Sequence, residues 1–318
     1  MKKKFALALA VVMMMTMVLS SCGSKGGNLT FTTGGETGTY YGFGTVLAGQ
    51  ISDKTDTTVT AIVGAGSKGN IEAMDLGDAQ MGLVQSDVMA YAYEGTSLFD
   101  KKIESFSTVA ALYMEQVQIV TLNPDIKTVA DLKGKNVSIG SSGSGVYFNA
   151  LDFLAGYGMT EADIVPQYLS FGDSAEALKD GKIDAAFVVA GAPTPAVTDL
   201  CTTKGAYLIN LDDAAIAKMQ EINPSYAKAV IPAGTYEGID EDVTTVAIKA
   251  TIIANSEVSE DDAYTIVSAI FENAAAITEA HAKGAELDLA YASECGLPYH
   301  AGAAKYFAEK GITVQTAE

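Results

Sequence analysis

The chain has 318 residues, 48% of them hydrophobic and 19% charged, which is enough for roughly two domains of the usual ~100–200 residues and too apolar for a disordered chain. Its 20 basic residues are all lysine, and against 39 acidic residues they leave a net charge of −19, which repels phosphate backbones and sets nucleic-acid binding aside. Without arginine the chain has no guanidinium fork, so any anionic ligand must be held by other donors.

Met1–Lys4 is positive, Phe5–Leu19 is apolar, and Leu19-Ser20-Ser21-Cys22 closes the run with small residues, the order of a secretory signal. Fifteen apolar residues fall short of the ~20 that a membrane-spanning helix needs, and no second run of that length follows. A cysteine directly after Leu-Ser-Ser resembles the bacterial lipobox, which implies removal of residues 1–21 and a lipid on Cys22; the plainer alternative is a soluble secreted chain. Cleavage there leaves 318 − 21 = 297 residues, and loss of three lysines takes the charge from −19 to −22. Residues 22–28, rich in glycine and serine, then form a flexible tether. The expected location is extracytoplasmic, on the face of a membrane. Cys201 and Cys295 allow one bridge at most and are read as buried thiols.

Beyond the tether, strands alternate with helices. Strands are predicted at Asn28–Thr33, Thr57–Val63 and Gln80–Gln85, with helices at Tyr40–Ser52 and Asn70–Leu76 between them. This βαβαβ order argues for a mainly parallel sheet covered by helices. Thr128-Val129-Ala130-Asp131 has capping-box spacing and opens a short helix ended by Gly134. A second series follows: strands at Asn136–Ile139, Val165–Leu169 and Ile183–Val189, a helix over Val146–Tyr157, and another capped by Asp173-Ser174-Ala175-Glu176 and running to Asp180.

Two extended apolar stretches, Phe106–Tyr113 and Gln116–Leu122, lie between the series, and a third, Thr244–Ala254, precedes helical segments at Ser259–Glu272 and Ala274–Lys283. If these stretches cross between lobes, the chain passes over near residue 118 and returns near 246. That gives lobe 1 as residues 29–117 with 246–318 and lobe 2 as 118–245, hinged by two crossovers.

Catalytic constellations are scarce. His281 reads as part of a solvated helix face and His300 as part of a turn, and there is no HExxH, CxxC, GxSxG, SxxK or Walker A pattern. The adjacent pairs Asp212-Asp213, Glu241-Asp242 and Asp261-Asp262 point apart on a helix and read as solvated surface. Gly64-Ala65-Gly66-Ser67-Lys68-Gly69 fits GxGxxG after a strand, with Asp87 18 residues beyond Gly69. A short following helix and the export signal argue against a dinucleotide there, and no cofactor or metal is expected. The same glycines still let backbone N–H groups approach an anion. Gly34–Tyr40, Gly64–Asn70, Gln85-Ser86-Asp87, Gly140–Gly145 and Gly191–Thr194 each follow a strand's C-terminal end, where open α/β sheets bind ligands. Tyr40, Tyr41, Tyr91 and Tyr113 can add an apolar wall or a hydroxyl.

These corners, with Ala111-Leu112-Tyr113, Asp131–Lys135, Asp184–Phe187, Ile231–Tyr236 and His300–Ala303, resemble the TAXI family of TRAP-transporter solute receptors across nearly the whole mature chain. The resemblance implies a two-lobed, type II periplasmic-binding-protein fold that catches a small organic solute and delivers it to a TRAP permease. Glutamate, glutamine and related carboxylic compounds are the associated solutes. By match to the family's motifs, Thr39, Tyr40, Ser67, Gln85, Ser86, Ser142, Ser144, Gly145 and Gly191 are the expected ligand contacts. The competing readings are an exported enzyme of the same bilobal shape and a surface sensor or adhesin.

Overall fold

The structure, a computed structural model, describes residues 26–317, so the signal segment and Cys22 lie outside the described residues. In the first half β1 (Asn28–Thr32), α1 (Thr39–Lys54), β2 (Thr58–Ile62), α2 (Ser67–Asp75), β3 (Met81–Gln85) and α3 (Ser86–Glu94) follow one another, and then β4 runs unbroken over Phe106–Thr121. In the middle come a 3-10 turn at Val129–Leu132, β5 (Asn136–Ser138), α4 (Gly145–Gly156), β6 (Val165–Gln167), α5 (Phe171–Lys179), β7 (Ala185–Ala190), α6 (Pro195–Lys204), β8 (Tyr207–Leu208), α7 (Asp213–Ile222) and β9 (Ala227–Ile231). The chain returns through β10 (Val243–Asn255) and ends with α8 (Glu260–Phe271), α9 (Ala274–Ala280), α10 (Leu289–Ala292) and α11 (Ala301–Glu309).

The two halves repeat one plan. β1 lies between β2 and β3, and β5 lies between β6 and β7, all parallel. Each trio then meets an antiparallel neighbour, β10 on β3 and β4 on β7. Because β4 and β10 also pair with each other, all ten strands form one curled, mixed ladder, where the sequence suggests two mainly parallel sheets. Partners change along the crossing pair: β10 contacts β9 up to Ala247 and β3 from Ala250, while β4 pairs with β7 from Gln116 onward.

Helical spacing of Phe43, Leu47 and Ile51 puts all three on the buried face of α1, against Phe31, Ile252, Ile266 and Phe307. A second core gathers Val137, Phe153, Leu154, Phe187 and Ile248. At ~1.5–3 kcal/mol for each fully buried large apolar side chain, these clusters supply the main driving force for packing helices on the sheet. No helix among the described residues is long and apolar enough to cross a membrane.

Several expectations are corrected. Met114 and Glu115 do not interrupt the crossing strand, because Glu115 is buried (2% exposed) and accepts a hydrogen bond from Tyr40. Helix α5 starts three residues early: Ser170 is its cap, accepting from Asp173 N at 3.2 Å while its hydroxyl donates to the Asp173 carboxylate at 2.6 Å. Ser86 and Asp87 begin a helix instead of ending a turn. His281 is half-buried, its ring 5.1 Å from that of Phe43, and His300 caps α11 by accepting from Gly302 N. Among the acidic pairs, Asp212 caps α7, and Asp262 accepts from Gly27 N and the Thr57 hydroxyl. Both cysteines are free thiols, Cys201 buried and Cys295 partly exposed.

Candidate functional site

A cavity of about 130 Å³ lies where the C-terminal ends of the two parallel trios face each other. One water needs only ~10–15 Å³, so the space suits a solute of several heavy atoms. From the first half it is lined by Gly34, Gly35 and Thr37–Tyr40, by Gly64–Ser67, by Gln85 and by Glu115; from the second by Ser141, Ser144–Val146, Leu169–Phe171 and the end of β7.

Local sequence explains these corners. Gly66 has φ +97°, open to glycine at little cost, and a Cβ there would stand 3.0 Å from Ser144 Cα on the facing corner. Asn70, on the first turns of α2, ties the ends of β1 and β3 together: its amide donates to Thr33 O and Leu83 O and its carbonyl accepts from the Thr32 hydroxyl. Ser67 Oγ accepts from Gln85 N at 3.0 Å. Each of α1, α2 and α4 begins at the cavity, on Gly38, Gly66 and Ser144, with no side-chain cap. Helix α5 also starts at the lining but is capped by Ser170, as α7, α8 and α11, which start elsewhere, are by Asp212, Ser259 and His300. Uncapped first-turn N–H groups carry the positive end of the helix dipole and are the donors an arginine-free anion site needs.

The halves touch around this space. Thr39 Oγ1 donates to Gly191 O (2.9 Å), Gly69 N to Gly143 O (2.9 Å) and Ala196 N to Thr37 O (3.3 Å). Gly145 seats against Gln85 so tightly that a Cβ would fall 1.7 Å from Gln85 Oε1.

Of the residues expected from sequence, Thr39, Tyr40, Ser67, Gln85, Ser144 and Gly145 line the cavity together. Ser86, Ser142 and Gly191 do not. Ser86 Oγ faces Lys249 N at 3.3 Å, Ser142 is exposed on its turn, and the carbonyl of Gly191 is taken by Thr39 and Thr194. Tyr113 is buried behind the floor, and Tyr91 stacks on Phe148 outside the cavity. The residue the sequence reading missed is Glu115, the single ionisable carboxyl of the lining. Its signal was visible as one acid inside a long apolar strand. Burial pushes its carboxyl well above the ordinary range, an effect that the hydrogen bond from Tyr40 (2.7 Å) only partly offsets. Tyr40 is itself raised by burial and by Glu115.

Two parallel trios, an antiparallel crossing pair and a cavity at the facing strand ends define a type II periplasmic-binding-protein fold. The same fold is found in the alkanesulfonate-binding protein SsuA from Xanthomonas axonopodis pv. citri bound to MOPS, at 17% identity and TM-score 0.50 over 89% of this chain and 90% of that one. It is shared with the GluR0 ligand-binding core from Nostoc punctiforme in complex with L-glutamate (16%, TM-score 0.50, 81% and 100% covered). It is also shared with the arginine-, lysine-, histidine-binding protein ArtJ from Geobacillus stearothermophilus (12%, TM-score 0.51, 82% and 97% covered). The chain belongs to the NMT1-like family, which it matches over residues 31–311.

Proposed function

We propose that this chain is an extracytoplasmic solute-binding protein of the TAXI type, tethered to the membrane through a lipid on Cys22, that captures a small amino acid or organic anion and passes it to a TRAP permease. The lobes are residues 29–117 with 246–318 and residues 118–245. Thr39, Tyr40, Ser67, Gln85, Ser144 and Gly145 are the proposed contacts. One observation carries the reading: three helices from opposing halves point uncapped N-termini into one cavity, an arrangement that holds a carboxylate without arginine. The cavity lining offers hydroxyls and a carboxyl but no imidazole, amine or thiol, which favours binding over an exported enzyme.

A thermal-shift screen of amino acids and small carboxylates against the mature chain tests the proposal. A solute at 100 times its Kd adds about 2.7 kcal/mol to stability, so a true ligand raises the Tm by several degrees. Absence of any shift across both sets would overturn the solute class.

A further inference from the structure

Away from the cavity, the two halves also meet across a pair of acids. Asp87 lies on the first turn of α3 in the first half and Asp152 on α4 in the second. Three hydrogen bonds join them: the Asn149 amide donates to Asp87 Oδ2 (2.8 Å) and to the Tyr226 hydroxyl (2.8 Å), which donates to Asp152 Oδ2 (3.0 Å). Asp87, Asn149 and Tyr226 are each 2% exposed or less, and beside them Asn223 donates across the halves to the Tyr91 hydroxyl (3.0 Å).

Among the described residues, no lysine is bonded to either acid. Lys68 of α2 is bonded to Glu72, Lys101 to Asp75 of α2, and Lys249 of β10 to the carbonyls of Tyr291 and Glu294, while Lys218 of α7 lies over the Tyr157 ring. The other ionisable groups around the pair are Tyr91 and Glu94 of α3, Tyr226, and Glu115 of β4, none of them basic, and Asp213 and Glu221 of α7 are exposed. Bringing the halves together therefore takes two carboxyls out of water onto one bridge, which is costly unless protons neutralise them. The bridge can receive those protons. Asn149 Oδ1 is buried without a partner, so nothing else holds the amide in one orientation. Turning it over and rotating the Tyr226 hydroxyl reverses all three bonds, with Asp87 donating to Asn149 Oδ1 and Asp152 to the Tyr226 oxygen.

We propose that Asp87 and Asp152 form a proton-operated latch between the lobes: closure takes up protons from solvent at this pair, and the closed form gives way to the open one as the pH rises. The inference rests on the hinged, solute-binding reading above. Burial and the neighbouring Asp152 push the Asp87 carboxyl up to about 7, and burial pushes Asp152 up to about 6. In an open form both return toward the ordinary carboxylate range. Closure is therefore most favoured below about pH 4, and that preference is lost as the pH rises through 6 and 7. A captured solute is held more firmly in acid surroundings and released more readily in alkaline ones.

Small-angle scattering of the unliganded mature chain at constant salt, at pH 5.5 and pH 8, tests the latch without any solute. Wild type and Phe148→Ala, whose closed forms differ in stability, bracket the equilibrium. In at least one of them the radius of gyration should be larger at pH 8, with the closed-to-open ratio falling at least tenfold. Adding Asp87→Asn and Asp152→Asn together should hold the pH 5.5 radius at pH 8. Removing two exposed charges instead, by Asp78→Asn and Asp240→Asn, should leave the pH response as it was. A radius independent of pH in both chains, with that of Phe148→Ala larger than wild type, overturns the latch and leaves the hinged reading standing. So does a pH response that survives the loss of both acids. If the radius answers to neither pH nor Phe148→Ala, the halves do not part at this contact, and the hinged reading falls with the latch.

Discussion

At the cavity, the facing corners are glycine and serine, their helices start without side-chain caps, and Gln85 keeps its Oε1 unspent. On the outer side of the same junction, α4 of the second half sends Phe148 into an apolar cluster of the first, beside Ile71, Met74, Val88 and Met89. There its ring stacks on Tyr91 (centroids 5.6 Å apart) and meets Phe99 (5.8 Å). The next residue, Asn149, donates to Asp87 and to the Tyr226 hydroxyl, both at 2.8 Å, and Tyr226 donates to Asp152 at 3.0 Å. One contact is left for a solute to complete, and the other largely completes itself. On the hinged reading proposed above, closure is partly stabilised before any solute arrives, so the solute need supply only the remaining bias.

Removing the self-sufficient contact is expected to have the largest effect. Phe148→Ala deletes a side chain that is 2% exposed and packed against the opposite half, and such truncations cost about 3–5 kcal/mol. Because the lost contacts cross the junction, part of that cost shifts the resting molecule toward an open form. Small-angle scattering should show a larger radius of gyration than wild type without ligand, and calorimetry a weakened Kd. A variant with unchanged radius and affinity would place Phe148 in the core of one lobe instead. Gly145→Ala attacks the other contact. Its methyl would collide with Gln85 Oε1 and approach Ser67 Oγ to 2.9 Å, so the corners cannot meet. Affinity should fall about 100-fold, or ~2.7 kcal/mol, with the unliganded Tm nearly unchanged. A fall in Tm as large as that of Phe148→Ala would erase the distinction between the two contacts.

The same contrast sets what was legible in the sequence. The alternating halves and the glycine corners could be read because period-2 runs such as Thr58–Ile62 and turn residues after them are local signals. Six of the expected contacts meet in the cavity because they sit on those corners. Glu115 escaped notice because a charged residue in an apolar run reads locally as a break, whereas its strand continues on the strength of a partner, Tyr40, 75 positions away. Helix α7 and strand β9 were missed for a related reason: α7 buries only Ala215, Ile216 and Met219, and β9 alternates exposed Lys228 and Val230 with half-buried alanines. Their short apolar patterns gain meaning only from neighbours distant in sequence. The outer junction is equally non-local, since Asp87, Asn149, Tyr226 and Asp152 come from two helices, α3 and α4, and the approach to β9.

The smallest expected effect is a charge change within that outer network. Burial pushes the Asp152 carboxyl up to about 6 and that of Asp87 to about 7, the second also raised by Asp152. Both values lie above the ordinary carboxylate range, so each acid binds its proton more tightly in the folded chain than in the unfolded one. Their contribution is most favourable below about pH 4 and is lost as pH rises through 6 and 7. Asp152→Asn removes one of these charges while retaining a carbonyl oxygen to accept from Tyr226, and it also relieves Asp87 of its nearest like charge. At pH 8 the variant should be more stable than wild type by about 1–2 kcal/mol, and at pH 4 the two should agree, as read from urea midpoints at constant m. A gain that persists at pH 4 would show that the asparagine packs better for reasons unrelated to charge. No gain at pH 8 would mean that water reaches Asp152 when the halves are together, and the outer contact would then be as open as the cavity it has been set against.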